Sequence, residues 1–246
     1  MKIWNKNTKT NNSAIDTFLS GEDIILDQEL FLYDIEASIA HAEELKAIDI
    51  LSATEFKKMV SALKKLAKLF LNKKFKLTKK YEDCHSAIED HLIKELGDLG
   101  KKIHTGRSRN DQVLVAMRLY ARDHLDNIQT LNLKIAKSFL DKASKYSSDV
   151  MPGYTHLQRA MPSTWGLWFG AFAESFMDNA ELLSNTQSWI NLNPLGTAAG
   201  YGVNLPIKRD ISTKKLQFKR KQLNSLYVQN SRGKFELELL SALKQP

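Results

Sequence analysis

Where glycine and proline are missing constrains this chain more than any other feature. Neither residue occurs between Gly21 and Gly97, between Gly106 and Pro152, or between Gly170 and Pro194. Both residues interrupt regular backbone, proline by lacking an N–H and glycine by its conformational freedom, so gaps of this length predict long helices. Within 22–96 the tetrad "SATE" (52–55) has the form of a capping box, with Ser52 and Glu55 three residues apart, and predicts that one helix ends near Ile50 and another begins there. A weaker break falls around Asn72–Lys80, and "EDCHSAIEDHLIKEL" (82–96) reads as a short helix stopped by Gly97.

From Asp111 to about Tyr146 the positions Val113, Met117, Tyr120, His124, Ile128, Leu131, Ile135 and Phe139 recur at steps of three or four, the period of one helix face. At about 1.5 Å per residue that helix is roughly 50 Å long and needs partner helices of similar length. The stretch 162–190 offers one, with Pro162 at its start and Trp165, Trp168, Phe169, Phe172, Phe176, Leu182 and Leu183 following. Strand signals are sparse. The expected fold is all-α: a small N-terminal helical domain, residues 1–105, followed by part of a long-helix bundle, residues 106–246.

Composition narrows the setting. Cys84 is the sole cysteine, which excludes an internal disulfide framework and suits a cytoplasmic location. No apolar run approaches the roughly 20 residues of a membrane span, and "MKIWNKNTKT" lacks the apolar stretch of a secretory signal. A net charge of +8, with lysines gathered at 57–80 and 208–221, brings nucleic acid, an anionic surface and an anionic substrate into consideration. In "KKLAKLFLNKKFKLTKK" (64–80) Leu and Phe alternate with lysine at helical spacing, the pattern of a solvated helix face, and nucleic-acid-binding signatures are missing.

Two polar motifs carry the candidate chemistry. In "HTGRSRNDQ" (104–112) Gly106 turns the chain while Arg107, Ser108, Arg109 and Asn110 supply donors at the start of a long helix, where unpaired N–H groups and the helix dipole favour a carboxylate. In "GYTHLQRAMP" (153–162) Thr155, His156, Gln158 and Arg159 lie between Pro152–Gly153 and Pro162, expected to be an irregular connection. Each alone also reads as ordinary capping and solubilising sequence. Together they offer a carboxylate cradle and a group that titrates near neutral pH. His85 and Glu89 form an i,i+4 pair able to hold a metal, but no second cluster has ligand spacing, so no metal is expected. "GTAAGYG" (196–202) follows no strand, fits neither a P-loop nor a dinucleotide fingerprint, and reads as a flexible turn after the second long helix.

The motifs "EDCHSAIE", "GKKIHTGRSRNDQV", "MPGYTHLQRAMP", "NPLGTAAGYG" and "LYVQNSRGKFELELLSAL" resemble, in order, the pattern of the argininosuccinate lyases of the fumarase/aspartase superfamily, with the adenylosuccinate lyases as nearest rival. The resemblance covers most of the chain. It implies a helical homotetramer whose active sites each draw on three subunits, and elimination of arginine from argininosuccinate to give fumarate, with no cofactor. It makes His156 the catalytic histidine, moving a proton itself or orienting the group that does. Ser108, Arg109, Asn110 and Thr155 become holders of the succinate carboxylates, His85 a supporting substrate-binding residue, and Gln158 and Arg159 braces of the loop.

Departures from the pattern set further expectations. The family's mobile "GSSxMPxKxNP" loop does not occur in these 246 residues, and Asp23 stands about where the family has a serine. The chain therefore reads as the N-terminal half of such an enzyme, inactive alone and with apolar faces left open to association. A second class, a basic helical binding module on the same scaffold, rests on the +8 balance.

Overall fold

The structure, a computed structural model, describes residues 21–244. It is helical, with two small two-stranded sheets, as expected for the fold class. The chain divides into two compact units, one reaching Tyr120 and resuming at Asn191–Arg232, the other Ala121–Ile190 with the residues from Gly233 onward. Residues 105 and 106 both lie in the first unit, so compactness does not divide the chain there.

The first unit begins with α1 (Asp23–Leu26), α2 (Phe31–Ala47), α3 (Ala53–Leu71) and α4 (Cys84–Leu96). The predicted capping box is formed: the Ser52 hydroxyl accepts the Glu55 N–H at 3.2 Å, and the Glu55 carboxylate accepts the Ser52 N–H at 2.8 Å. The Asp83 carboxylate caps α4 by accepting the Ser86 N–H, and Gly97, at φ 62°, ends it in a conformation that costs a side chain about 1 kcal/mol or more. Phe31, Leu45, Met59, Leu63, Ile88 and Leu92 fill the main core between these helices. Lys64, Lys65 and Lys68 line the exposed side of α3, as the pattern in 64–80 requires.

After α5 (Asp98–Lys101) and a single 3₁₀ turn (Lys102–His104), the long helix α6 runs from Arg109 to Lys145, 37 residues or about 55 Å. It crosses from the first unit to the second without a break. Its buried face differs from the expected stripe. Leu114, Val115, Leu119 and Leu125 are buried, whereas Leu131 and Ile135 of that stripe are exposed. The helix has apolar residues on more than one face, and spacing alone does not say which face a neighbour covers.

The second unit corrects two further expectations. Residues expected to form an irregular connection instead form an antiparallel hairpin, β1 (Val150–Thr155) and β2 (Gln158–Thr164). Pro152 pairs opposite Pro162, so Pro162 sits in a strand and α7 starts later, at Trp165, running to Ile190. Prolines are tolerated here because a two-stranded ribbon is all edge and leaves ladder donors dispensable. Within the unit, α7 runs antiparallel to α6: Phe139 stacks on Phe172 with ring centroids 5.2 Å apart, and the Gln129 and Gln187 amides reach the Ala180 carbonyl and the Asp126 carboxylate.

The first unit is completed by β3 (Leu192–Asn193), α8 (Asp210–Lys215), β4 (Arg220–Lys221) and α9 (Ser225–Asn230), with β3 and β4 parallel. The last helix, α10 (Lys234–Leu243), belongs to the second unit, where Phe235 packs on Trp189. None of the helices among the described residues is long and apolar enough to cross a membrane.

Candidate functional site

The turn into α6 is built on Gly106. Its φ of 69° is readily adopted by glycine, and an added Cβ would fall 2.6 Å from the Ile207 Cδ1 methyl. His41, buried on α2, pins the preceding residue, its Nε2 lying 2.9 Å from the Thr105 carbonyl while Nδ1 lies 3.2 Å from Glu44. Ser108 follows as a local hub, its hydroxyl accepting from both the backbone and the side-chain amide of Asn110 at 3.2 and 3.3 Å.

Asp111 is the anchor beneath these residues. Fully buried, its carboxylate accepts the Ser108 N–H at 2.8 Å on one oxygen and the N–H groups of Gly196 and Ala198 at 2.8 and 2.9 Å on the other. The "GTAAGYG" stretch is therefore not a flexible turn at its start: 195–198 is buried and tied to α6 by a charged acceptor.

Arg109 is heavily committed. Nη1 donates to Glu89 at 2.7 Å and to Gln112 at 2.8 Å, Nη2 to Ser86 at 3.4 Å, and Nε lies 3.2 Å from the Asp83 carboxylate. It thereby joins α6 to the N-terminal half of α4. Burial would raise the Glu89 carboxyl, but His104 at 2.9 Å and Arg109 hold it at about 2. Glu89 is thus taken by His104 and Arg109, and His85 pairs with Asp34 rather than with Glu89.

His85 turns inward. Its Nδ1 lies 2.7 Å from the Asp34 carboxylate, which also accepts the Gln112 amide at 3.0 Å. Burial by itself lowers the imidazole pKa, yet Asp34 outweighs it and raises the group above its ordinary value. Burial likewise pushes Asp34 upward, and His85, Arg107 and Gln112 together bring it below the usual carboxylate range. A buried carboxylate aligned on one imidazole nitrogen fixes the ring's orientation and favours its charged form.

Thr155 and His156 lie in the second unit, at the tip of the hairpin. Thr155 pairs with Gln158, leaving His156 and Leu157 as a two-residue turn with φ of 54° and 63°. Positive φ at both central residues is the signature of a type I′ turn, which glycine and asparagine normally supply. Here a histidine and a leucine hold it, and both are exposed, Leu157 at 98%. Non-glycine residues in this region cost of order 1 kcal/mol each and concentrate at functional sites.

Of the sequence-derived site residues, Ser108, Arg109, Asn110 and His85 thus gather in the first unit, and Thr155 and His156 share the hairpin tip of the second. Sequence reasoning missed Asp34 and Arg232, whose guanidinium donates to the Asn110 side-chain amide oxygen at 3.2 Å, and it paired Glu89 with His85 rather than with Arg109. It gave no role to Asp111 and Gln112, although both stood inside the quoted motif.

The chain is 50% identical over 241 residues to the argininosuccinate lyases of Xanthomonas oryzae pv. oryzae and of Xylella fastidiosa, a match covering 98% of this chain and 56% and 54% of those proteins. It thus spans little more than half the length of the curated relatives it matches. A variant of EDDS lyase solved with bound fumarate superposes with a TM-score of 0.79 at 26% identity, covering 92% of this chain and 45% of that one. The family model described as Lyase matches residues 6–244, and the chain belongs to that family.

Proposed function

We propose that this chain is part of an argininosuccinate lyase, which eliminates arginine from argininosuccinate to leave fumarate. The observation that carries the reading is 50% identity sustained over 98% of the chain to proteins of that name, with both polar motifs inside the match. In this reading Ser108, Asn110 and Thr155 hold the succinate carboxylates, and Arg109 and the charged His85 supply positive potential from beneath. His156 serves as the catalytic histidine, presented by its strained turn. The elimination removes a C–H proton beside a carboxylate and returns a proton to the departing guanidinium nitrogen, so it needs acid–base groups and a carboxylate cradle with no cofactor.

The whole protein acts as a cytoplasmic homotetramer that brings the two motifs together from neighbouring subunits, with no nucleic acid or membrane partner. The test is fumarate formation followed by ultraviolet absorbance with argininosuccinate as substrate. A full-length protein carrying these residues is expected to turn over and to lose at least about 100-fold of its rate on His156→Ala. The 246-residue chain by itself is expected to release no fumarate, and clear turnover by it would refute this assignment of roles.

A further inference from the structure

At the N-terminus of α4 three different metal-ligating side chains converge. A carboxylate oxygen of Asp27, the Cys84 sulfur and a ring nitrogen of His85 all lie within 4.8 Å of one another. Sγ and His85 Nδ1 are 3.6 Å apart. A tetrahedral zinc ion with Zn–S about 2.3 Å and Zn–N about 2.0–2.1 Å holds such donors about 3.6 Å apart. The Asp27 carboxylate also accepts the Cys84 N–H at 2.9 Å, so it is already aligned on this residue, and Asp34 reaches the same imidazole nitrogen at 2.7 Å.

We propose that Asp27, Cys84 and His85 form a binding site for a borderline-soft divalent cation of the zinc type, with water completing the shell. The donor set of thiolate, imidazole and carboxylate selects zinc or cobalt over calcium or magnesium, which prefer all-oxygen shells. The exchange balances without redox chemistry: the sulfur loses its proton to solvent and forms the metal–sulfur bond. The His85 nitrogen gives up its hydrogen bond to Asp34 to bind the ion, and an imidazolium there releases a second proton. Burial and the surrounding carboxylates raise the Cys84 thiol well above its ordinary value, so the empty site keeps its proton and metal competes with it. Cys84 and His85 are buried while Asp27 is half-buried, which leaves the site an entrance on the Asp27 side. An ion there takes His85 away from Asp34. The site stands on the geometry of this unit and does not depend on the lyase reading.

The purified chain, reduced and metal-free, is titrated with Zn²⁺ against a chromophoric chelator and separately with Co²⁺ under an optical spectrometer. Because Cys84 is the sole cysteine, a thiolate-to-cobalt charge-transfer band can arise only from it. One equivalent of Zn²⁺, a cobalt band abolished by Cys84→Ser, and zinc affinity weakened at least about tenfold by Asp27→Asn are expected. Zn²⁺ should also slow alkylation of Cys84 by iodoacetamide in the unsubstituted chain, a readout that needs no variant to fold. No cobalt band, or an alkylation rate indifferent to Zn²⁺, would overturn the proposal.

Discussion

Replacing Asp111 with alanine removes one buried carboxylate and strands three donors at once, the buried N–H groups of Gly196 and Ala198 and the part-buried N–H of Ser108. Each unpaired buried N–H costs about 1–3 kcal/mol, and hydrogen bonds to a charged acceptor are the stronger kind. Local relaxation recovers part of this, so a loss of about 3–6 kcal/mol is expected against a total of about 5–15 kcal/mol for a domain. Asp111→Asn is the informative companion. Its one carbonyl oxygen can serve two of the donors, while its NH₂ group faces the third, so about half the loss should remain. Urea denaturation followed by circular dichroism gives the total, and amide hydrogen exchange at Gly196 and Ala198 shows where it falls. Those two amides should exchange much faster in Asp111→Ala than in the unsubstituted chain, and by a larger factor than amides in the α3 core. An Asp111→Ala chain that loses under about 1 kcal/mol and keeps those amides protected would refute the idea that this carboxylate clamps the buried turn to α6.

Two further predictions concern the ion pairs and the hairpin. Glu89 is held at about 2 in the folded chain against 4.5 for the free side chain, so it contributes stability that is complete above about pH 5 and disappears as pH falls from there toward 2. The contribution is at most about 3 kcal/mol, and an acid titration of the unfolding midpoint should be flatter over that window in Glu89→Gln. At the hairpin tip, Leu157→Gly should leave thermal stability unchanged or raise it by a few tenths of a kcal/mol, because relief of a left-handed side chain offsets the entropy of glycine. Leu157→Ile, β-branched at the same φ, should lower it by about 1 kcal/mol in the same melting experiment.

Local signals were legible and distant ones were not. Ser52 with Glu55, Gly97, and the long breaker-free intervals each announce a boundary through chemistry within a few residues, and α3, α4 and α6 follow them closely. The hairpin escaped because its turn is His156–Leu157 rather than an asparagine–glycine pair, and because Pro152 and Pro162 argue against a strand until they are seen to face each other. The buried face of α6 escaped because apolar side chains such as Leu131 and Leu133 occupy faces that this chain leaves uncovered. In the site, "HTGRSRNDQ" advertised donors, but their acceptors come from far along the sequence. Asp34 meets Gln112 across 78 positions and Asp111 meets Ala198 across 87, distances over which spacing carries no information.

That last separation also sets a timetable. A ribosome adding about 5–20 residues each second needs roughly 4–17 s to travel from Asp111 to Ala198. Throughout that interval the nascent N-terminal part holds a carboxylate of which only the Ser108 partner has been made, while residues 121–190 of the second unit are translated. The first unit is therefore finished late although most of it is synthesised early.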